Sequence, residues 1–412
     1  MKENNTVTYL SSQDISSLSN EAQFCVPQIV ERGGKMKTDL VKGFKDVTGE
    51  EAVKRAQVKK ILAETFEKYG FEPAETPIVE FEEFVKGENA NDEAVRDVFR
   101  LQDRGKRKLA LRYEFTFQLK RLAQNKKLPY KRYQIGYNFR DEPIREGRTR
   151  QFIQCDVDVI GSDVKNEAEA LALTAEVMGK LGIEFTIYIN NRKLLNEILE
   201  KEGIIKNKED VIREVDKLDK LSEAEVKKNL KKYGAEKVLN TFTKPEKYFE
   251  KYSAYEEIKE LKKYCKMFGI NVKFRPFLAR GFSYYNGTVF EVWSKDIGVS
   301  ICGGGSYMIN NQQSTGISFG LEPIMLLAKF EEKKEKYLVV SLNQEKEAVK
   351  LTGDLREKDK IVSIFYGKPS KALDYANSYG YNKVIFVGAK EIEKGNFKVK
   401  DMDSGKESAL KL

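Results

Sequence analysis

The sequence predicts a multidomain α+β chain with a final α/β unit: a large antiparallel sheet with flanking helices, a helical insertion within it, and a small C-terminal domain. Three observations predict this. Runs such as "YKRYQIGYNFR" and "RQFIQCDVDVIG" alternate polar and apolar residues with period two, the mark of half-buried strands. Residues from 192 to about 270 turn into Lys/Glu-rich helical sequence before strands resume. After the charged stretch "EEKKEK", apolar strands "YLVVSL", "KIVSIFYG" and "KVIFVGA" alternate with helical segments, a β-α-β-α-β order that builds a largely parallel sheet.

The elements follow in order. Residues 1 to 36 are polar and read as a loosely docked extension. Apolar residues then recur at helical spacing up to Gly70, which stops the helix. "FEPAETPIVEF" is extended, with Pro77 at an edge or bend. "VFRLQ", "KLALRYEFT" and the two alternating runs follow as strands, "NEAEALALTAEVMGKLGI" is an amphipathic helix, and "FTIYINN" is a further strand. In the insertion, Ser222 and Glu225 carry a capping-box signature. "VKFRPFLARGFSYYNGTVFEVW" returns to strand, and "ICGGGSY" leads through a polar loop into "GISFGLEPIMLLAKF". The domains are therefore expected at 37–330, with the insertion at about 192–270, and at 336–412.

Composition narrows the chemistry. The chain of 412 residues contains no histidine, which removes Ser-His-Asp and Cys-His catalysis and HExxH zinc sites together. Reactions must then run on Arg, Lys, Glu, Asp, Tyr, backbone amides or an oxygen-bound metal. The four cysteines are scattered without a CxxC pair, which points to a reducing cytoplasm rather than a disulfide framework. No run of about 18 apolar residues crosses a membrane, and the first residues lack a signal-peptide pattern. A net charge of +9 fits a polyanionic partner, and equally a plain Lys/Glu-rich solvated surface.

The stretch "NFRDEPIREGRTRQFIQCDVDVIG" joins an arginine-rich turn to a strand with Gln154, Asp156 and Asp158 on one face and Ile153, Cys155 and Val157 on the other. The preceding strand has the same phase, with Arg132, Gln134, Asn138 and Arg140 alternating with Tyr133, Ile135, Tyr137 and Phe139. Two neighbouring strands then present Arg140, Gln154 and Asp158 on a shared surface. That surface is either an ordinary hairpin face in water or a site that holds phosphate and amine at once.

The order "FRDE…GR.RQF.Q.D.D..G" resembles motif 2 of class II aminoacyl-tRNA synthetases in its histidyl version. "KYGFEPAETPIVE" resembles motif 1, with its proline at Pro77; "LRYEFT" resembles the LRYDLT or LRPEGT segment; "RGFSYYNGTVFE" is similar to the RGLDYYTG…FE segment of histidyl enzymes. "GISFGLEPI" stands where motif 3 belongs, and the C-terminal unit resembles the family's anticodon-binding domain. The resemblance covers roughly residues 40 to 410 and implies a class II synthetase sheet in a cytoplasmic homodimer. It implies a histidine–tRNA ligase that uses L-histidine, ATP and tRNA(His), with Mg²⁺ expected for the ATP chemistry and its ligands unassigned. The insertion would contact the tRNA acceptor arm. A catalytically weak relative, acting as a histidine-binding regulatory subunit or a tRNA-binding sensor, is the alternative.

By this resemblance Arg140 grips the α-phosphate and Arg280 is a second catalytic arginine. Glu114, Thr116 and Gln154 hold the substrate's amino group, and Asp158 and Tyr285, with Tyr284 beside them, read the imidazole. Arg148 faces the ATP phosphates or the tRNA end, Glu142 lies near adenine, and Gly303, Gly304 and Gly305 let the adenosine approach backbone closely. The sequence departs from the family pattern where GLER reads "GLEP", placing Pro323 at an arginine position, where GGGRYD reads "GGGSYM" with Ser306 and Met308, and where GRYR reads "GRTR" with Thr149.

Overall fold

The computed structural model describes residues 38–87, 93–144, 148–281, 283–297, 300–329 and 335–410. Every element described here lies in the compact unit that begins at Gly43. The expected N-terminal extension lies outside the described residues.

The first helix, Gly49–Lys68, buries Val58, Leu62, Thr65 and Phe66, the spacing that puts one stripe against a core. Gly70 ends it with φ +77, a left-handed conformation that glycine adopts at no steric cost. The strands that follow are β1 (Glu72–Pro73), β2 (Val79–Phe81), β3 (Arg100–Gln102), β4 (Lys108–Leu111), β5 (Tyr130–Phe139) and β6 (Gln151–Ile160). β7 (Thr186–Asn191), β8 (Val272–Phe274), β9 (Tyr285–Trp293), β10 (Ser300–Ile309) and β11 (Gln312–Gly320) complete this part. β2, β4 and β3 form a small separate sheet.

The large sheet runs in the order β1-β5-β6-β11-β10-β9-β7-β8. It is antiparallel except at its two outer pairs, β1 with β5 and β7 with β8. One face carries Ile153, Cys155, Val157, Phe290, Ile317 and Phe319 into a single apolar core with the helices Gly49–Lys68, Val164–Lys180 and Tyr255–Met267. The helix Val164–Lys180 starts at Asp163, whose carboxylate accepts from two backbone amides while Asn166 returns the bond. The insertion between β7 and β8 is helical, its Ser222–Glu225 capping box is formed, and Val211, Ile212, Val215 and Val226 join the same core.

Two expectations need correction. The polar stretch between "GGGSY" and "GISFG" is not a loop. β10 and β11 run on as a hairpin closed by Asn310 and Asn311, with φ of +49 and +60, the two-residue turn that asparagine tolerates. "LRYEFT" also leaves the strand at Leu111, so Glu114 and Thr116 stand on a connection rather than in β4.

The last unit pairs β12 (Lys336–Ser341) in parallel with β13 (Ile361–Tyr366) and β14 (Lys383–Val387). The helices Glu345–Glu357 and Pro369–Ser378 cover its two faces. Two antiparallel strands, β15 (Lys398–Asp401) and β16 (Glu407–Ala409), extend it beyond the expected β-α-β-α-β order. Among the described residues no helix is long and apolar enough to cross a membrane.

Phe319 is fully buried, its ring 5.6 Å from that of Phe66. Phe319→Ala is expected to cost about 3–5 kcal/mol in the sheet–helix unit, read as a lowered urea midpoint. An unchanged midpoint would contradict this packing.

Candidate active site

The polar face of β5 and β6 is turned away from the apolar core yet is not in open water. Arg132, Gln134, Asn138, Asp156 and Asp158 are all buried. Strand register sets the first contact, because Arg132 lies directly opposite Asp158. The two side chains form an ion pair at 2.8 Å with Arg132 fully buried. The Tyr307 hydroxyl, from β10, donates to the other Asp158 oxygen. Gly316 of β11 faces Asp158 from the opposite side, and a side chain there would strike the carboxylate.

Along the same strand, Gln154 accepts from Asn138 Nδ2 at 2.5 Å and donates to Ser318 Oγ at 2.6 Å. Its amide is thereby oriented before any ligand arrives. Glu114 accepts from the Tyr284 hydroxyl at 3.2 Å. Tyr284 and Tyr285 pack with ring centroids 4.7 Å apart, and Tyr307 joins them at 5.6 and 6.4 Å.

Glu114, Gln154, Asp158, Tyr284, Tyr285 and Tyr307 line one cavity of about 200 Å³. Of the residues singled out by the sequence, Glu114, Thr116, Arg140, Glu142, Arg148, Gln154, Asp158, Arg280, Tyr284, Tyr285 and Gly303 are on its wall. Arg140 Nε donates to the Tyr113 carbonyl at 3.1 Å and its guanidinium stacks 5.1 Å from the Phe152 ring centroid. Arg280 enters from the segment between β8 and β9 and pairs with Glu291. The second Glu291 oxygen accepts from Trp293 Nε1 at 2.8 Å. Arg148 is half exposed, 3.5 Å from Glu142.

Gly304 and Gly305 depart from the expectation. They do not line the cavity; a side chain at Gly304 would strike the β11 backbone at Gly316, and one at Gly305 the Thr288 carbonyl and the Tyr285 ring. Their missing side chains make room for protein. Gly303 does line it, and a Cβ there would lie 2.6 Å from the Arg280 guanidinium.

Burial dominates the electrostatics. Removal from water pushes the Glu114 carboxyl up to about 7, against the pull of Arg140. Burial and the neighbouring Asp158 push Asp156 up to about 8. Asp158 is raised by burial too, with Arg132 pulling it down. Burial raises the Tyr284 phenol well above its ordinary value, helped by Glu114. The cavity wall thus bears the buried carboxyls of Glu114, Asp156 and Asp158 together with the guanidiniums of Arg140, Arg148 and Arg280. Such a lining suits a ligand that carries both an ammonium and phosphate.

The comparisons with known proteins agree on the family. A family model described as histidyl-tRNA synthetase matches residues 43–324, and one described as anticodon binding domain matches residues 336–412. The chain belongs to the histidyl-tRNA synthetase family. It is 35% identical over 408 residues to histidine–tRNA ligase 1 of Bacillus cereus, covering 89% of this chain and 96% of that protein. It is 33% identical over 420 residues to the histidine–tRNA ligase of Pyrococcus horikoshii, covering 91% and 96%. In fold it matches histidyl-tRNA synthetase from Nostoc sp. PCC 7120, with a TM-score of 0.79 and 24% identity over 91% of this chain and 97% of that one. A Bacillus halodurans structure titled as an ATP phosphoribosyltransferase regulatory subunit/histidyl-tRNA synthetase aligns with a TM-score of 0.73 and 20% identity, over 86% and 99%.

Membership makes the chain an aminoacyl-tRNA synthetase of the class II fold, and its departures from the family pattern can now be located. Pro323 and Thr149 line the cavity. Ser306 does not; its hydroxyl donates to Glu167, a buried carboxylate on the helix behind the sheet. Met308 is 45% exposed and also lies off the cavity. Of the motif-3 and "GGGSYM" changes, only Pro323 touches the site.

Sequence reasoning gave no role to Arg132, Tyr307, Asp156 or Glu291. For the first and third a signal existed, since alternation already put Arg132 and Asp156 on the polar face with Asp158. Nothing in the sequence pairs Tyr307 with Asp158 across 149 positions.

The raised Asp156 carboxyl carries a sign. An ordinary aspartate has a pKa of about 3.9, so between that and about 8 the folded chain binds a proton that the unfolded chain has released. Stability therefore falls as pH rises through this window. In Asp156→Asn the fall between pH 5 and pH 8, followed by urea midpoints, is expected to be shallower than in the wild type. Identical slopes would remove Asp156 as its source.

Proposed function

We propose that this chain is a histidine–tRNA ligase that activates L-histidine with ATP and transfers it to the 3′ end of tRNA(His). One observation carries the reading: a single cavity brings Glu114, Gln154, Asp158 and Tyr285 together with Arg140 and Arg280. The substrate's ammonium needs an anion and neutral acceptors, which Glu114, Thr116 and Gln154 supply. Asp158 and Tyr285, with Tyr284 beside them, address the two imidazole nitrogens and so disfavour side chains lacking one of them.

In the first step a histidine carboxylate oxygen attacks the α-phosphorus, and the bond from that phosphorus to pyrophosphate breaks. Negative charge grows on the phosphoryl oxygens, so guanidiniums held in advance serve better than an acid–base pair. Arg140, fixed by the Tyr113 carbonyl and the Phe152 ring, and Arg280, fixed by Glu291, meet that need. The tRNA terminal hydroxyl then attacks the acyl carbon and AMP leaves. Arg148 and Glu142 are assigned to the nucleotide side, as is Gly303.

Mg²⁺ would supply positive charge against the phosphate oxygens of ATP. Such an ion takes one or two carboxylates and keeps several waters. Besides Glu114, Asp156 and Asp158, the carboxylates on the cavity wall are Glu142 and Glu322, which would hold the ion.

The chain is read as a cytoplasmic homodimer whose residues 37–330 form the catalytic domain and 336–412 the anticodon-binding domain. Ile78, Val79 and Phe81, on the segment that resembles motif 1, are 41–57% exposed. An apolar strip of that kind supports a second copy covering it. Cys155, Cys265 and Cys302 are free thiols, which fits a reducing compartment. A second reading, a histidine-binding regulatory subunit without ligase activity, is favoured only by Pro323 at the motif 3 arginine position.

Histidine-dependent ATP–pyrophosphate exchange with Mg²⁺, followed by acylation of tRNA, tests the proposal. Histidine binding without exchange would favour the second reading. Arg280→Ala is expected to reduce exchange by about a hundredfold or more while histidine still binds; an unchanged rate would remove its catalytic role.

A further inference from the structure

The segment 275–280, between β8 and β9, carries Arg280 without belonging to either strand. Arg280 has φ +66, a left-handed conformation that a non-glycine residue avoids unless its surroundings hold it. Three side chains hold this segment. Asn190 of β7 donates to the carbonyls of Pro276 and Leu278 at 2.8 and 2.9 Å. Glu291 of β9 pins the guanidinium itself. The third is Asp216, whose carboxylate accepts from the Ala279 amide at 2.8 Å.

Asp216 is not part of the sheet. It is the last residue of the insertion helix Lys208–Asp216. A carboxylate there is opposed by the helix dipole, whose C-terminal end is negative, so local helix chemistry does not account for it. The side chain instead reaches the backbone amide of the residue immediately before the arginine. Val211, Ile212 and Val215 anchor the same helix in the core, which fixes where Asp216 stands. Burial also raises its pKa to about 6, with Glu291 as a second cause and Arg280 pulling the other way. The Asp216, Glu291 and Arg280 charges therefore act on one another.

We infer that Asp216 is a positioning residue through which the helical insertion holds Arg280 in its left-handed, cavity-facing conformation. The inference rests on the reading of Arg280 as a catalytic arginine. Its consequence is that adenylate formation, which involves no tRNA, depends on a side chain of the insertion.

The chain has one tryptophan, Trp293, and its indole N–H donates to the glutamate that pins Arg280. Its fluorescence reports that pair without any turnover. In Asp216→Ala, kcat for histidine-dependent pyrophosphate exchange is expected to fall by about tenfold or more, as for loss of a charge-assisted hydrogen bond. The KM for histidine should stay within about twofold, and the Trp293 emission should shift. Asp216→Asn keeps a neutral acceptor and should fall between the alanine variant and the wild type.

Wild-type kcat and emission in the alanine variant would overturn the inference. A loss shared equally by kcat, histidine affinity and thermal stability would also overturn it, because that is what plain structural damage gives. If the alanine variant does not fold, the asparagine variant decides: about a threefold or larger fall in kcat alone supports the inference, and wild-type kcat refutes it. If the wild type itself shows no exchange, the ligase reading fails, and the emission shift alone decides whether Asp216 positions Arg280.

Discussion

The ion pair between Arg132 and Asp158 is the constraint around which the site is organised. A guanidinium with no exposure must have a partner, since an unpaired buried charge costs several kcal/mol. Asp158 can be that partner only in the register that sets it opposite Arg132, so the pair and the β5–β6 alignment select each other. A slip of one residue would carry Val157 and Val159 to the polar side and break both. The neighbours follow from the same requirement. Gly316 leaves space for the carboxylate, and Tyr307 satisfies its second oxygen.

That arrangement explains why one sheet carries an apolar core on one face and a buried polar surface on the other. Core packing by Ile153, Cys155 and Val157 holds the strands rigidly. The opposite face can then keep Gln154, Asp156 and Asp158 in fixed orientations with little water to screen them. The site's raised carboxyl groups are a consequence of this enclosure. Placing Glu114 and two aspartates near one another is tolerable because protonation relieves their repulsion until a cationic ligand replaces the proton.

Most of this face was legible in the sequence, because period-two alternation is a local signal and survives into the fold. The same holds for the capping box at Ser222 and for the parallel core of the C-terminal unit. What was not legible depends on partners far apart in the chain. The Tyr307–Asp158 contact, the Asp216–Ala279 bond and the rooms made by Gly304 and Gly305 all arise from strand order, which alternation does not encode. The Asn310–Asn311 turn was misread for another reason. Its two asparagines sit in a polar run that resembles a loop by composition, and only their shared positive φ marks a tight hairpin. β15 and β16 escape the sequence reading because strands of four and three residues, KVKD and ESA, carry little apolar pattern.

The departures from the family pattern divide in a way that bears on the nucleotide. Ser306 is used behind the sheet, where its hydroxyl meets Glu167, so an arginine's loss there alters support rather than contact. Pro323 is different, because it stands on the cavity wall. The acid before it, Glu322, is already engaged by Arg55 at 2.7 Å and by the Ile153 amide at 3.2 Å, which ties the helix Leu321–Leu327 to β6 without any arginine at 323. The helix start is therefore held, and what is missing is charge alone. On the proposed function, phosphate binding would fall to Arg140, Arg148 and Arg280, of which Arg148 is half exposed and lies 3.5 Å from Glu142. On that reading the α-phosphate would be gripped by two well-held guanidiniums and the outer phosphates more loosely, so the chemistry at phosphorus would be less affected by Pro323 than the capture of ATP.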